Sequence, residues 1–430
     1  MIKDVLKNIA KLLPASITKQ LRVLQFNWVL SKTQKKHQIA LEKIRQKDKI
    51  KVAFFLIHES VWKYEKVYWL LQNDDRFEPI VFVCPYITYG EENMLQEMNQ
   101  AYEGFKEQGY NVVKTFDEKS RLWLDVKKEV KPDLVFFTNP HKLTRDEYYI
   151  LNFLDTLTCY VPYNFGNSHL LKLFHDQDLH NFVWTLFAES EIHKEYSNHY
   201  ARNKGTNVFV SGFPGTDNFL TDQEEVSDIW KNEEVKKIIW APHHTIDDGK
   251  SAIKYSSFKI YYQYMYSLLD QYKGKIEIIF KPHPILKIKL YNDKEWGKEK
   301  TDAYYESWAN HPFGGLNDSD YTNLFKTSDA LIHDSGSFLI EYLYTGKPVL
   351  RTDRDDSIPE RLNSFGKMAY EVHYIAKNQN HIDDFLNKII HNEEDILKEK
   401  RKDFKNKYLL QPDNKTASEI IFNYIKKQTE

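Results

Sequence analysis

The sequence predicts an α/β protein of two domains, each built on a parallel β-sheet. Its 430 residues exceed the size of about 250–300 residues at which a single hydrophobic core stops growing. After Asp48, short continuous apolar runs alternate with helical stretches, which is typical of parallel strands buried on both faces. A charged stretch, TDQEEVSDIWKNEEVKK (221–237), interrupts the alternation and indicates the boundary between the domains.

The elements follow in order from the apolar runs. In the first half, strands are predicted at 51–57, 79–84, 133–137, 159–165, 184–188 and 207–212, with helices at 61–72 and 91–108. In the second half, strands are predicted at 237–242, 275–282, 329–334 and 347–352, and a polar helical tail begins near residue 382. We therefore assign residues 49–225 to an N-terminal domain and 235–410 to a C-terminal domain. Residues 411–430 are predicted to form a helix, and a return of this helix to the first domain is left open.

The composition excludes several classes of protein. The 60 Lys and Arg balance 62 Asp and Glu, so a surface dedicated to nucleic acid is not expected. Two cysteines, Cys84 and Cys159, cannot build a disulfide framework. The sequence shows no run of 18 apolar residues and no secretory signal pattern, so we expect a cytoplasmic protein.

The near-neutral total hides a basic N-terminal segment, residues 1–48. Residues 1–51 contain thirteen Lys and Arg against three acids, a net charge of about +10. Apolar residues recur at helical spacing in residues 2–13 and cluster again in residues 21–30. Residues 1–30 are therefore predicted to lie on an anionic membrane surface, at the inner face of the cell membrane. The alternative is that these helices pack on the first domain.

Polar residues follow three predicted strands of the second half, at the point where each strand ends. They are His243 and His244 after 237–242, Lys281 and His283 at the end of 275–282, and Ser335, Gly336 and Ser337 after 329–334. Parallel sheets bind ligands at the carboxyl ends of their strands, so we expect the site in the cleft between the domains.

Each group suggests a role toward a nucleotide. Ser335, Gly336 and Ser337 lead into a predicted helix, where hydroxyl and backbone N–H groups suit a phosphate. Glu341, one turn further, is placed to accept hydrogen bonds from ribose hydroxyls. His283, held between two prolines, is placed to donate to a phosphate oxygen or to protonate a leaving group. The alternatives are a helix cap, a solvated carboxylate and a histidine in a rigid turn.

Five segments in order carry a resemblance to a known family. They are SEIHKEYSNHYARNKGTNVFVSGFPGTDNFL (190–220), which is similar to the end of the family's first domain, WAPHH (240–244), FKPHP (280–284), TSDALIHDSGSFLIEYLYTGKPVL (327–350) and DNKTASEII (413–421). The run from 237 to 420 resembles the C-terminal half of the CDP-glycerol glycerophosphotransferases, the teichoic-acid polymerase and primase family. The resemblance implies the GT-B fold, in which two Rossmann-like domains face each other across a cleft.

The resemblance also implies a donor pocket in the second domain. His283 would contact the donor diphosphate or assist the leaving CMP, Ser335 and Ser337 would hold phosphate, and Glu341 would lie near the ribose. His243 and His244 depart from the family, in which Thr-Trp-Arg usually follows Ala-Pro. That departure leaves the identity of the donor open.

The acceptor side is less defined by the sequence. The family carries a His-Gly-Thr segment with the base, but the corresponding region here, YVPYNFGNSHLLKLFHDQDLHN (160–181), has no His-Gly pair. His169, His175 and His180 are the candidates, and His169 and His180 are favoured. His58 and Glu59, which follow the first strand, are further candidates for acceptor binding, with a capped loop as the alternative. We predict no cofactor and no essential metal.

Taken together, the sequence predicts a transferase. Glycerol phosphate or a similar alditol phosphate would pass from CDP-glycerol to a hydroxyl of a membrane-linked glycan or polyol-phosphate acceptor, and CMP would leave. Two other enzyme classes stay open: a GT-B glycosyltransferase that uses a nucleotide sugar, and an isomerase similar to UDP-N-acetylglucosamine 2-epimerase. A fourth possibility is a protein of the same fold that only binds a glycan or a partner.

Overall fold

A computed structural model describes residues 14–221, 229–246, 254–317 and 321–430. These residues form two compact units. The first unit contains the described residues up to Tyr163, together with Lys172–Ser211 and Ala417–Glu430. The second unit contains Asn164–Leu171 and the described residues of Gly212–Thr416. Each unit is built on a parallel sheet, which confirms the predicted α/β class.

The first unit has a sheet of seven parallel strands within the described residues. Its strands are β1 (Ile50–Leu56), β2 (Phe77–Val83), β3 (Val112–Lys114), β6 (Leu134–Phe137), β7 (Leu157–Tyr160), β8 (Thr185–Ala188) and β9 (Val208–Val210). The order across the sheet is β3-β2-β1-β6-β7-β8-β9. A separate antiparallel pair joins β4 (Phe116–Asp117) to β5 (Leu122–Trp123).

Helices connect these strands. They are α1 (Ala15–Ile44), α2 (Glu65–Gln72), α3 (Glu91–Glu107), α4 (Leu171–His175), α5 (Asp178–Phe182), α6 (Glu191–Tyr200) and α15 (Ala417–Thr429). The C-terminal helix α15 packs in the first unit, where Phe422 meets the ring of Phe77 at 6.3 Å and Lys426 pairs with Asp74 at 2.8 Å. No helix in the described ranges combines the length and the apolarity of a membrane span.

The second unit has a sheet of six parallel strands in the part of the chain that the structure describes. They are β10 (Lys236–Ala241), β11 (Ile276–Phe280), β12 (Gly314–Leu316), β13 (Ala330–His333), β14 (Val349–Thr352) and β15 (Tyr374–Ala376), in the order β12-β11-β10-β13-β14-β15. Its helices are α7 (Phe258–Gln271), α8 (Pro284–Tyr291), α9 (Gly297–Asn310), α10 (Thr322–Thr327), α11 (Phe338–Glu341), α12 (Ser364–Tyr370), α13 (Gln379–Ile390) and α14 (Lys398–Phe404).

The strand order in the second unit places the candidate site. The order runs outward from β10 in one direction and from β13 in the other, so the connection reverses between these two neighbours. In open parallel sheets, such a reversal leaves a crevice at the carboxyl ends of the strands, where ligands bind. Trp240, near the end of β10, is buried against Phe280 and Trp308, with ring centroids 4.9 and 5.5 Å away. This aromatic packing fixes the ends of β10 and β11.

One short segment of the first half belongs to the second unit. The sequence-based boundaries place residues 164–171 in the first domain and the domain junction at 225–235. In the structure the chain passes from the first unit to the second between Ser211 and Gly212, and Asn164–Leu171 also belong to the second unit. The reason is local pairing. Ser168 forms an antiparallel bridge with Leu362, and the ring of Phe165 stacks on Phe365 at 6.1 Å.

Buried histidines are expected to make the protein sensitive to acid. Burial lowers the pKa of His180 and of His373 to about 3, from 6.5 in an exposed histidine. Between those values the unfolded chain binds protons that the folded chain does not, so stability falls as pH falls. Each such histidine is expected to cost on the order of 1 kcal/mol between pH 7.5 and 5.5.

Thermal unfolding at pH 7.5 and 5.5 measures this effect. We expect a lower midpoint at pH 5.5, and a smaller difference in His373→Asn, whose amide can still donate to the carbonyl of Ala369 that His373 Nδ1 meets at 2.8 Å. His381→Asn, at an exposed position, is the matched control. An equal or higher midpoint of the unchanged protein at pH 5.5 would contradict the account.

Candidate functional site

The candidate site lies at the carboxyl ends of three neighbouring strands of the second unit, β11, β10 and β13. Lys281 follows β11, His243 and His244 follow β10, and Asp334 follows β13. The predicted polar groups therefore come from adjacent strands rather than from separate parts of the sheet.

His243, His244 and His283 form one group, which we call the three-histidine cluster. The ring centroid of His283 lies 5.1 Å from that of His243 and 4.2 Å from that of His244. The first two rings are 4.3 Å apart. One nitrogen of each residue lies within 4.8 Å of a nitrogen of both others, and all three residues are partly exposed. The fold thus brings together residues that are about forty positions apart in sequence.

The rings of the cluster are held by local contacts. His243 Nδ1 lies 2.9 Å from Thr245 Oγ1, and His283 Nδ1 accepts a hydrogen bond from the backbone N–H of Ile285 at 3.2 Å, which caps α8. Burial lowers the pKa of His283 to about 3, and the neighbouring His244, Lys281 and Lys289 act in the same direction. Burial also lowers the pKa of His243 well below its usual range. These two imidazoles are therefore neutral at pH 7.

Asp334 ties the cluster to the rest of the site. Its carboxylate accepts hydrogen bonds from the backbone N–H groups of His243 and Ser257, both at 2.5 Å, and from Ser257 Oγ at 2.9 Å. Burial raises the pKa of Asp334 to about 6, against the opposing effect of these hydrogen bonds. The carboxylate therefore fixes the backbone of His243 relative to the end of β13.

The Ser335–Ser337 segment is anchored from several directions. Arg351 Nη1 donates to the carbonyl of Ser335 at 3.0 Å, and Asn167 Nδ2 donates to the carbonyl of Gly336 at 2.5 Å. The backbone N–H of Ser335 donates to His333 Nδ1 at 3.1 Å, and Ser335 Oγ lies 3.5 Å from the N–H of Phe338. Ser335 Oγ thus faces the first backbone N–H of the following helix, whose N-cap position is occupied by Ser337.

The helix after this segment is shorter than the sequence predicts. The α-helix α11 covers Phe338–Glu341, and a 3-10 turn, Tyr342–Thr345, continues to Gly346. Its dipole is correspondingly small. Glu341 is 2% exposed and accepts a hydrogen bond from the hydroxyl of Tyr321. A contact between Glu341 and a ribose stays a proposal.

The structure separates the two favoured base candidates. His169 is exposed and lies in the second unit, where its Nδ1 is 2.9 Å from the carbonyl oxygen of Arg361. His180 is 4% exposed in the first unit, and its Nδ1 accepts from the backbone N–H of Gln177 at 3.2 Å, within a helix cap. His175, also buried, lies 3.2 Å from Ser197 Oγ through Nδ1.

His58 and Glu59 follow β1 in the first unit. His58 Nδ1 lies 2.8 Å from Ser60 Oγ, and burial lowers the pKa of His58 to about 4. Burial, reinforced by the nearby Glu97, raises the pKa of Glu59. The two residues lie at the end of the strand where the order of this sheet also reverses, between β1 and β6. Their role in acceptor binding stays a proposal.

Arg351 and Asn167 are residues of the site that the sequence did not identify, and Asp334 was recognised only as the start of the Asp-Ser-Gly-Ser segment, without a role. Arg351 is fully buried, donates to Asp353 Oδ1 at 3.0 Å and holds the carbonyl of Ser335. A charged residue inside the apolar run KPVLRT was the available signal. Asn167 gave no such signal in the sequence, because its contact with Gly336 joins residues 169 positions apart.

Comparison with known proteins places the chain in a family. Residues 171–427 match the model described as CDP-Glycerol:Poly(glycerophosphate) glycerophosphotransferase. The chain therefore belongs to the family of CDP-glycerol glycerophosphotransferases, a family of transferases, as its motifs predicted. No curated protein sequence matches the chain significantly.

Solved structures of similar fold include a teichoic-acid enzyme and epimerases. The wall teichoic acid polymerase TagF is 15% identical, with a TM-score of 0.54 over 96% of this chain and 97% of that chain. UDP-GlcNAc 2-epimerase from Neisseria meningitidis, bound to UDP-GlcNAc, is 16% identical, with a TM-score of 0.56 over 88% and 100%. The S. aureus MnaA–UDP complex is 16% identical, with a TM-score of 0.55 over 88% and 96%. At these identities the likeness shows the GT-B fold.

Proposed function

We propose that this protein transfers glycerol phosphate, or a similar alditol phosphate, from a CDP-activated donor to a hydroxyl group of a glycan or polyol-phosphate acceptor. The observation that carries the proposal is the convergence of the three-histidine cluster and Lys281 beyond the ends of β10 and β11 in the second unit. Membership of the glycerophosphotransferase family supports this reaction class. The TagF polymerase, similar in fold, supports a teichoic-acid-like acceptor.

The donor diphosphate is proposed to bind at the three-histidine cluster. Lys281 supplies positive charge there, and this charge contributes to lowering the pKa of the neighbouring His283. Lys281 is only 5% exposed, so burial restrains its position. The Ser335–Ser337 segment, fixed by Arg351 and Asn167, borders the same strand ends. Phosphoryl transfer of this kind depends on positioning and charge stabilisation rather than on covalent chemistry with the protein.

His169 is proposed as the general base. If its Nδ1–H donates to the carbonyl of Arg361, the lone pair is on Nε2, which is the atom that would take the proton. The acceptor oxygen would then attack the phosphorus that bears the glycerol. The bond from that phosphorus to the bridging oxygen breaks, and the bridging oxygen leaves with CMP. His169 lies two residues from Asn167, which holds Gly336.

Thermal stabilisation by ligands tests the identity of the donor. A ligand that binds only the folded protein adds about 2.7 kcal/mol at 100 times its Kd. We expect CDP-glycerol, CDP-ribitol or CMP to raise the midpoint of unfolding, and UDP and UDP-sugars to leave it unchanged. The reverse pattern would favour a glycosyltransferase or an epimerase, because one nucleotide-binding fold serves several chemistries.

We also propose that α1 contacts an anionic membrane, which would carry the acceptor. This helix has apolar residues on two opposite faces. Phe26, Leu30, Leu41 and Ile44 pack on or are buried in the first unit. On the opposite face Ile17, Leu21, Leu24 and Trp28 are 42, 49, 64 and 60% exposed. Residues 15–44 contain six Lys and Arg against one acid, which suits anionic lipid. Residues 1–13 of the proposed segment lie outside the described residues.

Vesicle binding tests the exposed face of α1. Replacing Leu21, Leu24 and Trp28 together by serine is expected to reduce sedimentation with phosphatidylglycerol vesicles at least about tenfold, because this apolar area no longer enters the lipid. High salt is expected to weaken the binding of the unchanged protein. A double change of Ile288 and Ile396 to serine, at positions 60 and 70% exposed in the second unit, is the control. Equal sedimentation of the triple variant and the unchanged protein would rule out this membrane contact.

A further inference from the structure

The three-histidine cluster has the composition and spacing of an open metal site. Three imidazole nitrogens, one from each of His243, His244 and His283, lie within 4.8 Å of one another. In tetrahedral zinc sites with bond lengths of about 2.0–2.1 Å, ligand nitrogens lie about 3.4 Å apart, so small side-chain rotations suffice. Three protein ligands with a fourth position left open are typical of zinc sites that act on a substrate.

The surroundings of the cluster hold one of its rings in place. A hydroxyl next to the distal nitrogen of a ligand orients the ring. Thr245 Oγ1 has this position, 2.9 Å from His243 Nδ1, and is itself held by the N–H of Tyr255 at 2.9 Å.

The fourth position is not filled by the adjacent carboxylate. Asp334 already accepts hydrogen bonds from the backbone of His243 and from Ser257. Lys281, Lys289 and Arg351 place positive charge near the cluster, so an anion is needed to balance an added cation. A phosphate oxygen meets both requirements, as ligand and as counter-charge.

In contrast to the expectation from the sequence that no metal is essential, we propose that His243, His244 and His283 bind a divalent transition-metal ion of the zinc class, and that its open position takes an oxygen of the donor diphosphate. The metal site stands on the geometry of the cluster, whereas its role toward the diphosphate rests on the proposed function. When the metal ion binds Nε2 of His283, the ring proton moves to Nδ1. Nδ1 can then no longer accept the hydrogen bond from the N–H of Ile285, which is 3.2 Å away. Neutral imidazoles then supply no charge to the diphosphate, and the ion does.

Metal titration of the full chain tests the site without any assay of activity. The protein, without a polyhistidine tag and stripped by a chelator, is titrated with Zn²⁺ by calorimetry and with Co²⁺ by visible absorption. We expect one ion per chain and the intense visible bands of four-coordinate Co²⁺. Pyrophosphate or CDP is expected to tighten Zn²⁺ binding, and Zn²⁺ to tighten CDP binding by the same factor.

Variants assign the binding to the cluster. His244→Ala and His283→Asn are each expected to weaken Zn²⁺ binding at least about tenfold, since outer-shell changes alone cost 10–100-fold. Asparagine retains the cap of α8, so His283→Asn separates the ligand from the fold. His381→Ala, an exposed histidine of the same unit, is expected to leave binding unchanged.

The outcomes separate this proposal from the proposed function. Equal Zn²⁺ binding by the unchanged protein and by His244→Ala overturns the metal site, even if CDP-glycerol is turned over. Loss of Zn²⁺ binding in both cluster variants supports the metal site, even if no CDP compound binds. If Zn²⁺ binds at the cluster and leaves CDP affinity unchanged, the role toward the diphosphate is overturned.

Discussion

Replacing His283 by alanine is expected to lower kcat/KM for the donor by about 10²–10³, the usual cost of removing one group that stabilises charge in a transition state. The physical reason is its position, since His283 lies beside Lys281 and within 4.2 Å, between ring centroids, of His244. Steady-state CMP release from CDP-glycerol measures the effect. The same change also removes the cap of α8, so unfolding must be followed in parallel.

His283→Asn is the matched control for folding. Asparagine accepts the N–H of Ile285 as well as histidine does, so the midpoint of unfolding should stay close to that of the unchanged protein. Its activity should nevertheless fall as far as that of the alanine variant. Full activity in His283→Asn would mean that His283 serves only as a cap, and the diphosphate would have to bind elsewhere.

Replacing His169 by alanine is expected to lower kcat by about 10²–10⁴ and to leave donor binding unchanged, because a general base acts on the acceptor proton and not on the nucleotide. The exposed ring, oriented by the carbonyl of Arg361, is the structural basis. The affinity of the variant for CDP and its rate of CMP release, measured side by side, test whether catalysis is lost while donor binding is kept.

His180→Asn is the comparison for the base. His180 is buried and accepts a backbone N–H within a helix cap, so its change is expected to lower stability more than kcat. If kcat falls in His180→Asn but is unchanged in His169→Ala, the general base is His180 and not His169.

Much of the fold follows from the apolar runs of the sequence. All ten predicted strand positions contain a strand, for example Ile276–Phe280 within 275–282. Five strands of the described residues were missed: Val112–Lys114, Gly314–Leu316 and Tyr374–Ala376 of the parallel sheets, and Phe116–Asp117 and Leu122–Trp123 of the antiparallel pair. Each has only two or three residues, which is too short a run to show a periodicity, and the first three lie at the edges of their sheets.

The candidate site was predictable as far as it depends on strand ends. His243, Lys281 and Ser335 each follow a strand, and parallel topology places such ends at one edge of a sheet. The adjacency of β10, β11 and β13 depends on strand order, which the sequence does not encode locally. The contacts of Asp334 with Ser257, and of Asn167 with Gly336, depend on packing between distant residues. The burial of Glu341 and its hydrogen bond with Tyr321 have the same origin.

Release of CMP from CDP-glycerol, dependent on a polyol-phosphate or glycan acceptor, tests the central claim most directly. The proposed function predicts CMP release by the unchanged protein, an equal amount of glycerol phosphate on the acceptor, and loss of both in His283→Asn. Release of UDP from UDP-N-acetylglucosamine, or its conversion to an epimer, with no CMP from CDP-glycerol, would contradict the claim.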